Sequence, residues 1–284
     1  MKNLTLSFIL LWITGLYSIA QTELTQAHIK QFYKTKTYVV MDDNPLSDYN
    51  AKVEEAVKKY WTITPFEFIS QETFHQKRTD ENNSFLILSE VVFYKDPLQA
   101  RYDFFSLLLG GKYQIVNAMP VLGAVPIGYT EAPQESSMYK LGAVLKFLQA
   151  HVKLITEKPE LIKNDNPFKY YNDNPRNISD KTLYLIRSEM EPSFNTEAKI
   201  KTVYPYKFKF VTREQLESII DKDEPDAIFL HKVGPEGTKK KARCYKVILG
   251  TDSYLYYFDY HMISDKNPDG FLETDFKKLS KYNK

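Results

Sequence analysis

One stretch that occurs twice constrains this chain more than any other feature. Phe66 to Val91 begins Phe-Glu-Phe-Ile-Ser-Gln-Glu-Thr-Phe and ends in Ser-Phe-Leu-Ile-Leu-Ser-Glu-Val, and its second copy runs from Phe208 to Val233. At a constant offset of 142, Phe66 matches Phe208, Phe68 matches Phe210, Ile69 matches Val211, Ser70 matches Thr212, Glu72 matches Glu214, Phe74 matches Leu216, Leu88 matches Leu230 and Val91 matches Val233. The shared positions are aromatics, a helix-capping hydroxyl and an apolar run, which is what a core and a helix start require. They describe a duplicated folding unit, so function is expected where the two copies differ.

Local patterns give the unit its order. Lys36 to Met41 is β-branched and aromatic, and ends in the turn chemistry of Asp42-Asp43-Asn44-Pro45. Ser47 is a candidate N-cap, its hydroxyl placed to accept from a free amide of the first turn, before Tyr49, Val53, Ala56, Val57 and Tyr60, the spacing of one buried helical face, with Glu54 and Glu55 four residues ahead of Lys58 and Lys59. A strand over 66–69, a helix capped by Ser70, an apolar strand over 84–93 and a strand over 102–109 follow, with Tyr113 to Val116 as a candidate further strand. The second half repeats this with strands at 182–186, 208–211, 227–233 and 243–249, a helix over 213–220 capped by Thr212 with Gln215 three residues on, and a short or irregular first helix near Pro192. Tyr254 to Ile263 predicts a last strand, and Phe271 to Leu279 a closing helix capped by Thr274. The expected fold is α+β: two tandem homologous β-α-β-α-β-β domains, each a mixed or antiparallel sheet with helices packed on one face. Residues 1–20 read as a signal peptide, 21–35 as a lead-in, 36–130 as the first repeat domain and 181–284 as the second. Residues 131–180 hold a connecting helix, marked by Met138, Leu141, Leu145, Leu148, Val152 and Ile155, and a linker with Asn-Asp-Asn-Pro at 164 and again at 172.

The first residues bear on compartment. Lys2 precedes a mostly apolar run from Leu4 to Tyr17 and the small residues Ser18-Ile19-Ala20, the layout of a secretory signal cleaved before Gln21. The run is shorter than the roughly 20 residues that span a bilayer, so no transmembrane segment is expected after cleavage. The net charge of +2 gives no basic face for a polyanion, and nucleic acid is not expected as a partner. The one dense basic cluster, Lys239, Lys240, Lys241 and Arg243, falls at an expected hairpin turn. Cys244 is the sole cysteine, so stability rests on burial and not on an internal disulfide.

Few residues offer chemistry. Tyr38 to Pro45 looks like the first strand and acidic pair of a phospho-receiver domain, but the phosphorylatable Asp would fall near Val116, where there is no carboxylate. Asp42 and Asp43 remain an alternative acidic site for a cation or for acid–base work, against a solvated β-α turn. The histidines His28, His75, His151, His231 and His261 lack the i, i+4 spacing of a metal pair. No Ser lies in a Gly-x-Ser-x-Gly elbow, and no metal, cofactor or catalytic residue is assigned. The candidate binding surface is the apolar run from Met119 to Ile127, with Met119, Val121, Leu122, Val125 and Ile127. If exposed it marks a partner contact; otherwise it is a buried connection beneath the 138–155 helix.

The unit's order, with its Ile/Val-Ser/Thr-x-Glu-x-Phe/Leu step at the second helix and its apolar third strand, is similar to the amino-terminal domain of the TolB translocation family. It also resembles the envelope domains of curli-secretion lipoproteins, and the signal with a Lys-, Tyr- and Asn-rich mature chain resembles uncharacterised secreted proteins of the Bacteroidota. These resemblances imply a periplasmic or secreted, non-catalytic binding or assembly protein whose partner is another envelope protein. This chain departs from both families in lacking a lipid-attachment Cys and a propeller. The alternative is a hydrolase or small-molecule binding protein working in a cleft between the domains.

Overall fold

The structure is a computed structural model that describes residues 22–93, 96, 98–133, 136–163, 168–236 and 241–283. The expected signal, the first Asn-Asp-Asn-Pro run, Lys239 and Lys240 lie outside the described residues. The chain forms an α+β fold with two five-stranded mixed sheets. The first joins β1 (Lys36–Val40), β2 (Phe66–Ile69), β3 (Asn83–Val92), β4 (Arg101–Leu109) and β5 (Val121–Tyr129) in the order β2-β1-β3-β4-β5. The second joins β6 (Thr182–Leu185), β7 (Phe208–Phe210), β8 (Ala227–Val233), β9 (Arg243–Gly250) and β10 (Leu255–Met262) in the matching order β7-β6-β8-β9-β10. In each, the first strand runs parallel to its two neighbours and the last two pairings are antiparallel.

The helices take both faces of each sheet, where the sequence reading put them on one. The connections from β1 through α2 (Asp48–Tyr60) to β2, and back across β1 through α3 (Gln71–Lys77) to β3, run in opposite directions along the sheet. Right-handed crossovers in opposite directions place their helices on opposite faces. Tyr49, Val53 and Val57 of α2 accordingly pack with Val39, Leu86 and Leu107, while Phe74 of α3 packs with Tyr38, Phe85 and Ile87. In the second half, Ile200 of α6 (Glu197–Lys201) packs with Leu183, Leu185 and Ile228, and Leu216 and Ile220 of α7 (Arg213–Asp221) pack with Tyr184 and Phe229.

The two halves share one core. The lead-in forms α1 (Gln26–Phe32), and Leu141–Glu157 forms α4, which packs on α1, α2 and β5 on one side and on α7 and β9 on the other. Leu141, Val144, Leu145, Leu148 and Val152 of α4 join residues of both sheets in a single cluster. The linker contains α5 (Lys169–Asp173), and the chain closes with α8 (Glu273–Leu279). Both α4 and α8 follow the fifth strand of their sheets, and both pack over the face carrying the first crossover helix. The shared core meets that face of the first sheet but the opposite, α7 face of the second.

Ser70 and Thr212 cap their helices as the sequence suggests, accepting from the amides of Thr73 and Gln215. Ser47 occupies the N-cap position without the hydroxyl-to-amide bond expected of it. At α8 the cap is not Thr274: the Asp275 carboxylate reaches back to the amide of Leu272 at 2.9 Å. The fifth strand is Val121–Tyr129, while Val116–Ala118 is a 3-10 turn and not a strand. Pro126 sits in β5 next to a break in register. That is possible because β5 is an edge strand, where no ladder bond is lost.

Ladder register defines which residues correspond. Thr37 pairs with Phe66 and Ser84, as Leu183 pairs with Phe208 and Ile228. With Phe66 matched to Phe208, Leu230 therefore corresponds to Leu86, two residues earlier than the offset of 142 implies, because α7 has 9 residues where α3 has 7. Gly110, whose amide donates to Asn83, likewise corresponds to Thr251, whose amide donates to Ala227. A Cβ at Gly110 would lie 2.2 Å from the Asp80 carbonyl oxygen and 2.9 Å from that of Asn83. Gly110→Ala is thus expected to cost about 3 kcal/mol by overpacking against backbone, measured as a lower urea midpoint with an unchanged slope. Thr251→Ala should cost much less.

Candidate functional site

The acidic pair sits in a tightly bound β-α turn. Asn50 of α2 receives the Asp42 amide on Oδ1 at 2.7 Å and donates from Nδ2 to the carbonyls of Asp42 and Asn44 at 3.0 and 2.9 Å. The Asp42 carboxylate accepts from the Asn44 amide at 2.8 Å, an Asx turn. Asp103 of β4 lies near enough to feel Asp42 and Glu90, and its carboxyl is pushed up, chiefly by burial and then by those two charges. Among the described residues no group of three His, Cys, Asp or Glu side chains could hold a metal ion.

The apolar run is core. Met119, Leu122, Val125 and Ile127 are buried and Val121 is half-buried. Leu122, Val125 and Ile127 join the shared core with α4, while Met119 packs with Phe85 and Leu108 on the other face. The Pro126 carbonyl turns outward and accepts from Nε2 of His231 at 2.7 Å, tying the edge of the first sheet to β8. The second Asn-Asp-Asn-Pro run does similar work: Asn172 donates to the Phe258 carbonyl at 2.6 Å and accepts from its amide at 3.0 Å, covering the edge of β10.

The largest difference between the sheets is one row of side chains. In the first sheet Leu88, Phe105 and Val125 lie opposite one another and pack on the shared core. By the same register their counterparts are Lys232, Lys246 and Asp259. Two lysines directly opposite in a ladder repel, and buried charges need partners. The segment after β10 supplies them: Lys232 meets Asp269 at 2.8 Å and Lys246 meets Asp275 at 2.9 Å, with all four side chains at most 5% exposed. Tyr257 donates to Asp275 at 2.7 Å and lies 3.1 Å from Asp259, which Lys278 caps from outside at 2.5 Å. Burial opposes ionisation of Asp259, but Lys278 and Lys246 outweigh it and hold its carboxyl below the ordinary range. Burial likewise opposes the charge on Lys232, and Asp269 outweighs it, so the ammonium is held above its ordinary range. Cys244, in the next row, is fully buried 3.7 Å from the Gly270 carbonyl, and burial pushes its thiol up, away from nucleophilic use. Sequence reasoning missed this network, although Lys232 beside His231 in a strand whose other five residues are apolar was a visible signal.

Two concavities bear on the site. Between α2 and α7, where the halves meet, the space beside Tyr60, Met138 and Gly142 amounts to about 20 Å³, room for about one water. Beside the edge strand β7 there is an open groove of about 630 Å³, lined by the apolar side chains of Tyr184, Val211 and Ile219 and by Lys209, Gln215, Ser218, Glu214 and Glu224. Comparison with known proteins finds no family model, no curated protein and no solved structure that matches the chain. Among the described residues no helix is long and apolar enough to cross a membrane.

Proposed function

We propose that the chain is an exported, non-catalytic binding and assembly protein of the cell envelope, built by duplication of one folding unit and engaging another envelope protein. The observation that carries this reading is where open space and reactive groups lie. The groove beside β7 is open and lined by both apolar and polar side chains, as a peptide-binding surface requires. Lys232 and Lys246 are held in buried pairs with Asp269 and Asp275, and Cys244, His151 and His231 are buried away from the groove. For the alternative of a hydrolase or small-molecule site in an inter-domain cleft, the concavity between α2 and α7 holds about 20 Å³. The apolar strand 121–127 supports the reading as scaffold: its side chains hold the two halves together.

Affinity capture from native envelope tests the proposal. A tagged protein should recover one specific envelope partner, and Ser218→Arg in the groove lining should reduce recovery while leaving the urea midpoint nearly unchanged. Recovery of no partner, or equal recovery by the variant, counts against it.

A further inference from the structure

Two edges of this molecule carry the same short pattern with opposite charge. β2 reads Phe66-Glu67-Phe68 and β7 reads Phe208-Lys209-Phe210, and each is the terminal strand of its sheet. The Thr37 amide donates to the Pro65 carbonyl and the Met41 amide to the Ile69 carbonyl, so the odd-numbered residues of β2 face β1. The amides and carbonyls of Phe66 and Phe68 therefore point outward. The Leu183 amide donates to Lys207 and the Val211 amide to Leu185, which turns the corresponding groups of Phe208 and Phe210 outward on β7. The other two edges are tied down, β5 at Pro126 by His231 and β10 at Phe258 by Asn172.

We propose that β2 of one molecule adds antiparallel to β7 of a second copy, joining the first sheet of one to the second sheet of the next. The faces agree. Glu67 lies beside Tyr38 on the α3 face and Lys209 beside Tyr184 on the α7 face. A rotation about the sheet normal keeps these two faces on the same side. The register agrees as well: Phe66 opposite Phe210 and Phe68 opposite Phe208 exchange backbone hydrogen bonds, and Glu67 falls opposite Lys209 in the closer, non-hydrogen-bonded pair.

Charge selects this pairing over its rivals. β2 against β2 would set Glu67 on Glu67, and β7 against β7 would set Lys209 on Lys209. The surroundings carry the inverse pattern: Glu67 is paired with Lys36 at 2.5 Å and also feels Lys77, whereas Lys209 shares its groove with Glu214 and Glu224. Glu67 would be shared between Lys36 and Lys209 in the assembly. Because the two surfaces differ, the contact is head-to-tail and propagates into open chains. Each contact is short, so association is weak and depends on salt and concentration.

The inference extends the assembly reading, and cysteine trapping tests it. Phe66→Cys on one chain and Phe210→Cys on another face each other across the proposed junction at a Cα spacing of about 5.5 Å, within disulfide range. Mixed under oxidation, the two variants should bridge about tenfold faster than either alone. Lys209→Glu on the second chain should abolish the gain, and Glu67→Lys on the first should restore it. Sedimentation of the uncut chain should show the same pattern without cysteines: association for the wild type, loss in either charge reversal, recovery in the doubly reversed protein. Equal bridging in the mixture and in single variants, or association indifferent to charge reversal, overturns the proposal. Capture of an envelope partner by a protein that shows no association in either assay would leave the binding reading standing while this inference fails.

Discussion

Asp275→Leu is expected to lower stability by about 3–5 kcal/mol, because it strips the partner from a lysine that has no access to water. Lys246 is 2% exposed and its ammonium lies 2.9 Å from the Asp275 carboxylate. Asp275 also holds the amide of Leu272 and accepts from Tyr257, so the same change uncaps α8 and loosens the segment that covers this face. Lys246→Leu leaves the carboxylate buried instead and should cost a similar amount. The pair removed together, Lys246→Leu with Asp275→Leu, should cost less than either single change, since no unpaired charge remains and Tyr257 keeps Asp259. The first sheet supplies the physical precedent: the counterpart of Lys246 is Phe105, in the shared core at 0% exposure. Urea unfolding of the four proteins at pH 7 closes the cycle. Additive losses in the double variant would mean that the two groups act separately.

Much of this architecture was legible because it is local. The hydroxyls of Ser70 and Thr212, each followed by a short amphipathic run, specify helix starts that the structure keeps to the residue. The β-branched and apolar runs specify strands whose ends moved by no more than one residue. What the sequence hid depends on contacts between distant segments. Met119 to Ile127 contains Pro120, Pro126 and Gly123, which disguise a strand; only its position at a sheet edge makes Pro126 acceptable there. The charged row was hidden for the same reason, since Lys246 and Asp275 are 29 residues apart and Lys232 and Asp269 are 37 apart. No periodicity announces such pairs. Leu88 and Phe105 give no warning that their counterparts are lysines, because the longer α7 shifts the offset before the row is reached.

The acidic pair shows the opposite case, where a sequence motif was legible and its setting was not. Asp42 and Asp43 end a parallel strand, a place where many ligand sites form. Asn50 uses all of its amide to fix the backbone there. The carboxylate of Asp42 is turned to its own chain. A turn held this firmly positions α2, and α2 in turn presents Val53 and Val57 to the core that joins the two sheets. The chemistry-bearing residues at both ends of the molecule thus serve placement: Asp42 orients the first crossover helix, and Asp275 the last helix.

The second large effect is acid sensitivity centred on two buried histidines. His231 donates from Nε2 to the Pro126 carbonyl at 2.7 Å, which leaves Nδ1 as the unprotonated nitrogen. That atom is buried with no hydrogen-bond partner among the described residues. Burial, and then the nearby charge of Lys140, push its pKa down to about 3 from an ordinary 6.5. His151 is buried beside Tyr171, whose hydroxyl lies 3.1 Å from Nδ1, and burial alone pushes it down to about 4. Both groups bind protons more readily unfolded than folded. Their contribution is therefore intact above pH 6.5 and is lost progressively as pH falls toward 3 to 4. At pH 5 each histidine should cost about 2 kcal/mol relative to pH 7.5, so the wild type loses about 4 kcal/mol through the pair. His231→Gln keeps a donor for Pro126 and removes the titration, and His151→Gln does the same beside Tyr171. Urea midpoints at pH 7.5, 6.5, 5.5 and 5 should fall steeply for the wild type, less for each single variant, and least for the double, in which His261, also pushed down by burial, remains. A wild-type profile that stays flat to pH 5 would refute the assignment. Because His231 bridges β8 to the edge of β5, its protonation also strains the junction between the two sheets. Hydrogen exchange at pH 5 should therefore rise first at the amides of β5 and β8 if the loss begins at that junction.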